Sequence, residues 1–520
     1  MMLHSTKIDI LDTTLRDGQQ SPGAGMSFEH NIKYAHLANK LGIDILEAGF
    51  PAASKTDYKI VETISQDMAS IKSKIIVSAL CQLRENQVEQ TIKSLESSSK
   101  FKRGRMHIYI PIDPELMEAS LGVMAQQKDL ILIKINNFIN LAVKAGLEVE
   151  FSLEGYSRQK SNFNFATEAF IAAVSAGATV LNFPDTIGGA SRYEGEDYYL
   201  NQIRKHKQII TTQFPNIDFK WSTHCHNDFG LALDNSLTGV FEGVINQVEG
   251  CINGVGERAG NVALEQIIMN IKHFGNLDHL QYKIHTDINI IYLQEISDFI
   301  AQNMLIRQPH YPIVGANAAS HSSGGHINAI LKNPLAYQPF NPKEIGGAIK
   351  FVFGPLSGSN HAQEIIHQYG YSCSDDEKIT IAQFIKDYYT DRRKGITNDE
   401  LMQAYFIYRT PIIADKIAYA KSEDNNIKIE IFGKFFGMQH KIIESNGSGS
   451  AISALNNKIL EILPHIEVIN YKSKSMNESI NALSESEIII TDTTTNTNYL
   501  GCGSDYDIEV STSSVGNRTY

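Results

Sequence analysis

Eight short strand-like runs, separated by longer stretches of helical periodicity, constrain this chain more than any other feature. They lie at 8–11, 45–49, 75–79, 106–110, 148–153, 180–183, 219–223 and 247–252, within residues 1–275. Several are nearly continuous apolar or β-branched runs, as parallel strands covered on both faces require. Helical segments fall between them, such as Asn31–Leu41 before the second run. Eight β-α units in this length predict an α/β fold, a (β/α)8 TIM barrel. A doubly wound sheet is the alternative that counting strands leaves open.

The pattern changes twice after the barrel. Residues 276–410 are mostly helical and form expected linker subdomains, with a Gly/Ser/Asn/His-rich island at 314–326 and a Pro-rich stretch at 333–342. Residues 411–520 form an expected C-terminal α+β domain. Its strand-like runs at 427–431, 466–471 and 487–491 flank a helix at 452–462, with Ile452, Leu455, Ile459 and Ile462 on one face. Gly447-Ser-Gly449 and Gly501-Cys-Gly503 suggest a duplication within it, and the Ser/Thr-rich 510–520 segment has poor helix propensity. A net charge of −12 disfavours a general nucleic-acid partner. No stretch reaches the ~18 apolar residues of a membrane span. The N-terminal residues show no secretory signal, and five scattered cysteines fit a reducing compartment, so the expected location is cytoplasmic.

In a barrel, the loops after the C-terminal strand ends carry the chemistry. The first run leads into Leu11-Asp-Thr-Thr-Leu-Arg-Asp-Gly18, which puts Arg16 and Asp17 at the rim. The seventh leads into Thr223-His-Cys-His-Asn-Asp228. Side chains alternate along a strand, so His224 and His226 share one side and Cys225 takes the other. The eighth is followed by Asn253-Gly-Val-Gly-Glu-Arg-Ala-Gly-Asn261. Strands seven, eight and one are neighbours in a closed barrel, so Asp17, His224, His226 and Asn261 can converge. Two imidazoles, a carboxylate and an amide oxygen suit Zn2+, Mn2+ or Mg2+ with positions left for substrate. A lone pair of strand histidines is more often structural; polar residues from three strand ends in one sector weigh against that. Glu47, His107 and Glu154 end the second, fourth and fifth runs. Singly each is a solvated rim residue; together they predict a polar barrel mouth. Gly254, Gly256 and Gly260 would let backbone approach a ligand closely, and a tight turn explains them equally well.

The segments LDTTLRDGQQSPG, LEAGFPAAS, NFPDTIG, HCHNDFGLALDNS and NGVGERAGN together resemble the 2-isopropylmalate synthases, in the acetyl-CoA-condensing branch of the DRE-type metal-dependent barrels. The resemblance runs from about Ile10 into the C-terminal region. It implies metal ligands at Asp17, His224, His226 and Asn261. It also implies catalytic roles for Arg16, Glu154, His326 and Tyr337. With Glu47, Gly254 and Gly256, the residues His107, Ser152 and Thr186 make the expected substrate-binding set. His326 and Tyr337 are expected to reach the active site of a partner subunit, which implies a homodimer. The C-terminal region resembles a leucine-sensing regulatory domain, with 447–454 and 501–507 as its ligand loops.

The implied reaction condenses acetyl-CoA with 2-oxoisovalerate and hydrolyses the thioester, giving 2-isopropylmalate and CoA, the first committed step of leucine biosynthesis. One divalent metal ion is the implied cofactor, K+ a further candidate, and leucine the implied effector. Glu154 and His326 are both candidates for the base. The specificity pocket is expected along 46–51 and 183–186. Arg16→Ala and His226→Ala are expected to abolish turnover with the fold intact. The linker departs from the family's usual SHESGIHQDG, since 320–329 is Ser-His-Ser-Ser-Gly-Gly-His-Ile-Asn-Ala, and Gln19 stands where many members have Glu. These departures leave open a citramalate- or homocitrate-type acceptor, a lyase, or a non-catalytic leucine- or metal-binding regulator.

Overall fold

The computed structural model describes residues 5–392 and 395–409 and, beyond these, the backbone of six strands in the C-terminal region. The chain divides into two compact units, 1–318 with 342–348, and 319–341 with 349–520.

The first unit contains a closed barrel of eight parallel strands: β1 (Asp9–Asp12), β2 (Ile45–Glu47), β3 (Ile76–Gln82), β4 (Gly104–Pro111), β5 (Glu148–Glu154), β6 (Val180–Asp185), β7 (Lys220–Cys225) and β8 (Gln247–Gly250). Pairing of β1 with both β2 and β8 closes it. Helix α1 (Phe28–Leu41) starts earlier than its apolar periodicity suggests. The Ser27 side chain accepts from His30 N, Glu29 sits in the first turn, and Gly42 ends the helix at φ 86°.

Apolar character holds for only one side of the central strands, which corrects the expectation of nearly continuous apolar runs. Met106, Ile108 and Ile110 of β4 and Val149, Phe151 and Leu153 of β5 are buried, as Val248 of β8 is. The alternate residues, Arg105, His107, Glu150, Ser152, Gln247 and Glu249, are buried too. Arg105 Nη1 donates to Gln247 Oε1 at 2.8 Å, and β4 and β8 are not neighbours, so this bond crosses the lumen. Arg105 also donates to Glu150 (2.9 Å), and Gln247 Nε2 donates to Glu150 and Ser222 (2.9 Å each). A polar layer therefore fills the space that branched aliphatics usually occupy in such barrels.

The second unit, taken by itself, begins with strand Ser320–His321, parallel to Lys350–Phe351. Only the end of the glycine-rich island is helical: residues Gly324–Lys332 form a helix with Ile327 and Ile330 buried, while 314–319 remain turns. Helices Ser359–Gln368, Lys378–Tyr388 and Asn398–Arg409 enclose an apolar core built around Phe353, Ile365, Ile366, Ile381, Ile385 and Leu401.

The C-terminal strands form two three-stranded antiparallel sheets. One holds β9 (Ile412–Lys421), β10 (Asn426–Phe435) and β11 (Met438–Ser448); the other holds β12 (Ile466–Ser475), β13 (Ser484–Asp492) and β14 (Thr497–Asp505). The three runs seen in the sequence fall in β10, β12 and β13. Residues expected as ligand loops are partly strand: Gly447 pairs with Ile427 and Gly501 with Ile488. Ladder pairing there overrides the turn preference of glycine. Helix 452–462 and segment 510–520 lie outside the described residues. No helix among the described residues is long and apolar enough to cross a membrane.

Candidate active site

Three loops build the site at the C-terminal ends of β1, β7 and β8. After β1 the chain turns sharply. Thr14 N donates to Asp12 Oδ1 (2.9 Å), and Ile252 N, beyond β8, donates to Thr14 Oγ1 (2.9 Å). This ties the first loop to the last. After β7, His226 and Asn261 form an isolated backbone bridge that joins the seventh and eighth loops. Arg258 holds the same junction from outside, with Nε and Nη2 each 3.0 Å from the Asp228 carboxylate and Nη2 2.6 Å from Thr186 O.

Asp17, His224 and His226 are all buried and offer ligand atoms within 4.8 Å of one another. His224 Nε2 lies 3.1 Å from His226 Nε2 and 4.0 Å from Asp17 Oδ2. Two lone pairs at that separation repel, so a proton or a cation must lie between the rings. Asn261 Nδ2 donates to Asp17 Oδ1 (2.7 Å), while Asn261 Oδ1, His224 Nδ1 and His226 Nδ1 are buried without a hydrogen-bond partner among the described residues. Burial, then the neighbouring His224, pushes the His226 pKa down to about 3, which keeps this imidazole neutral. Burial alone would raise the Asp17 carboxyl; Arg16 and both histidines outweigh it and keep the group ionised. Two nitrogens, an ionised carboxylate and an unpaired amide oxygen fit a divalent cation.

Arg16 stands beside this cluster, gripped on three sides. Nε donates to Glu47 Oε2 (2.6 Å), Nη1 to Asp17 Oδ2 (2.5 Å) and Nη2 to Glu249 Oε1 (2.9 Å). Glu47 Oε1 meets His107 Nδ1 at 2.7 Å, and His107 Nε2 meets Ser152 Oγ at 2.6 Å. Burial opposes the charge on His107, but Glu47 raises its pKa to about 9, so both ring nitrogens donate at neutral pH.

These side chains open onto a cavity of about 270 Å³. Arg16, Asp17, His107, Ser152, Glu154, Thr186, His224 and His226 line it. Burial raises the pKa of Glu154, against the opposing pull of Arg16 and His224. Thr186 Oγ1 accepts from Gly155 N (2.8 Å), which joins the loops after β5 and β6.

Other expected residues sit elsewhere. Glu47 is fully buried behind the cavity wall and is not a rim residue; it reaches the site through Arg16 and His107. The close approach at Gly256 is to the ligand cluster itself: a Cβ there would lie 2.3 Å from Asn261 Nδ2 and 3.0 Å from Asp17 Oδ1, at φ 151°. At Gly254 a Cβ would meet Tyr311 Oη at 2.8 Å and Asn261 O at 3.0 Å. The segment 46–51 does not line the cavity; Leu80, Tyr109 and Pro184 supply its apolar walls. His326 and Tyr337 lie in the second unit, with rings stacked at 3.9 Å and 16°. Glu249, Asn182, Glu257 and Arg258 also border the cavity and were not anticipated. A signal for Glu249 was present: a carboxylate inside the short run Gln247-Val-Glu-Gly250 contradicts an apolar strand unless it faces a functional lumen.

Family models place residues 7–300 with the HMGL-like family and residues 313–394 with the homocitrate synthase post-HMGL domain-like family. The chain is similar to a 2-isopropylmalate synthase of Aquifex aeolicus, 33% identical over 502 residues, covering 93% of this chain and 90% of the relative. A 2-isopropylmalate synthase of Saccharolobus solfataricus is 35% identical over 386 residues, covering 74% and 92%. One from Staphylococcus saprophyticus is 31% identical over 504 residues, covering 94% and 91%.

Proposed function

The chain belongs to the 2-isopropylmalate synthases, acyl-transferring enzymes within the HMGL-like family, and from that premise we propose that it condenses acetyl-CoA with 2-oxoisovalerate and hydrolyses the thioester to 2-isopropylmalate and CoA. The observation that carries this reading is the convergence of Asp17, His224, His226 and Asn261 beside Arg16 at one polar cavity. A divalent cation held by those four residues would act as a Lewis acid on the keto group of the acceptor. Arg16 adds fixed positive charge where the alkoxide develops. We assign the base to Glu154, which would take a proton from the acetyl methyl group. Its cavity position and its raised pKa, caused by burial, support this over His326. Protonated His107 and Ser152 would orient the acceptor, and Leu80, Tyr109 and Pro184 would meet its branched side chain. A homodimer and leucine as effector of the C-terminal region belong to the same reading, on the family resemblance; the division at 275 and 410 rests on the changes of pattern along the sequence.

The test is thiol release from acetyl-CoA with 2-oxoisovalerate, pyruvate and 2-oxoglutarate in parallel, with and without leucine and a chelator. Preference for 2-oxoisovalerate, lost on chelation, is expected. Preference for another acceptor would sink the substrate assignment, and release that survives chelation would sink the metal assignment. Glu154→Gln is expected to slow release by roughly 10²–10⁴-fold; a variant within fivefold of wild type would return the base to His326.

A further inference from the structure

We propose that Glu249 is a positioning residue whose single carboxylate orients both Arg16 and His224 and thereby sets how tightly the site holds a divalent cation. This rests on the reading of Asp17, His224 and His226 as metal ligands. Glu249 projects from β8 into the lumen and is 1% exposed. Its Oε1 accepts from Arg16 Nη2 at 2.9 Å and lies 3.2 Å from His224 Nδ1 in an ion-pair contact. Its Oε2 accepts from Asn182 Nδ2 at 2.9 Å, and the same amide donates to Ser152 Oγ at 2.9 Å. Protein groups therefore occupy both oxygens.

The consequence for His224 is a choice of nitrogen. A carboxylate facing Nδ1 favours the proton there and leaves Nε2 as the donor atom, the one that faces His226 and Asp17. Such outer partners raise the basicity of a ligating imidazole and fix its ring. The consequence for Arg16 is a third anchor. Asp17 and Glu47 come from the first two β-α units, and Glu249 arrives from the last. Without it the guanidinium can swing about its remaining anchors.

Glu150 provides the contrast. It is also fully buried in the lumen, yet its hydrogen bonds go to Arg105 and Gln247 and to no candidate ligand. Two carboxylates of equal burial thus differ in what they hold.

The experiment compares Glu249→Gln, Glu249→Asp and Glu150→Gln with wild type, each prepared metal-free. Mn2+ and Zn2+ affinities are measured by competition with a chelating dye, and stability by urea unfolding. Glu249→Gln is expected to bind roughly 10–100-fold more weakly. Glu150→Gln is expected to lose stability but to bind the cation as wild type does. Glu249→Asp keeps the charge and shortens the reach; it is expected to fall between, and it decides the matter if the first variant does not fold. An affinity within twofold of wild type in a folded Glu249 variant overturns the proposal, as does equal weakening in Glu150→Gln. Wild-type protein that binds neither cation would overturn the metal-ligand reading itself, a separate outcome.

Discussion

The lumen of the barrel and the core of the second unit are both buried, yet they are built from opposite materials. The lumen holds Arg105, Glu150 and Gln247, bonded to one another, Glu47, bonded to His107, and Glu249, bonded to Arg16 and Asn182. The second core is made of Phe353, Ile365, Ile366, Ile381, Ile385, Leu401 and their apolar neighbours. Both also contain unpaired polar atoms. In the barrel they include His226 Nδ1 and Asn261 Oδ1, whose residues gather around Asp17. In the second unit, His361 has no hydrogen-bond partner on either ring nitrogen among the described residues and sits between Phe351 and Phe353 at 5.6 and 5.5 Å. An unpaired buried atom costs stability wherever it lies. It points to a ligand only when other donors surround it, as they do in the barrel and not around His361.

The variant expected to break this comparison most severely is Arg16→Ala. Removing the guanidinium takes one counter-charge from three buried carboxylates, Asp17, Glu47 and Glu249, which costs about 3–5 kcal/mol. A loss of that size is expected because Arg16 supports the lumen as well as facing the cavity. Urea unfolding checks it, and a loss below about 1 kcal/mol would show that the lumen tolerates unpaired charge. His226→Ala comes next: thiol release is expected to fall by roughly 10²–10³-fold, with stability little changed, since this imidazole makes no bond beyond the ligand cluster. Activity within tenfold of wild type would remove His226 from the site.

Gly256→Ala is a milder probe of the same cluster. Its methyl group would push Asn261 off Asp17, so weaker metal binding is expected with a stability loss of about 1–3 kcal/mol. Unchanged cation affinity would mean that Asn261 is dispensable. The smallest effect is expected for His361→Leu, within about 1 kcal/mol of wild type at pH 7.5, because no hydrogen bond is lost. Its value lies in pH dependence. Burial pushes the His361 pKa down to about 4, so the folded chain refuses a proton that the unfolded chain accepts below about 6.5. Wild-type stability is then full above pH 6.5 and declines as the pH falls toward 4, and the leucine variant should decline less. His206 in the barrel, also held near 4 by burial, contributes with the same sign and remains in both proteins. Melting temperatures at pH 7.5, 6 and 5 measure the difference; parallel curves would mean that His361 has an ordinary pKa.

Much of the barrel is legible along the chain because its signals are local. Runs such as Glu148–Glu154 and Lys220–Cys225 alternate with helices, and the His224/His226 pair follows from the two-residue repeat of a strand. Closure of eight β-α units then brings the first, seventh and eighth loops together, which is enough to assemble Asp17, the histidines and Asn261. The second unit is less legible. Gly324 and Gly325 argue against the helix that they begin, and Gly501 against the strand that contains it. In both places non-local partners outweigh local propensity.

The sequence by itself determined the strand count, the loops that bear chemistry and the residue types able to hold a cation, since each depends on spacing along the chain. Tertiary structure alone decided which charges meet. Arg16 and Glu249 lie 233 residues apart, Arg105 and Gln247 142, and nothing in either local segment names its partner. Whether Glu47 lines a cavity or stands behind it is likewise settled only when the strands close and each buried inward side chain must find a polar partner within the lumen.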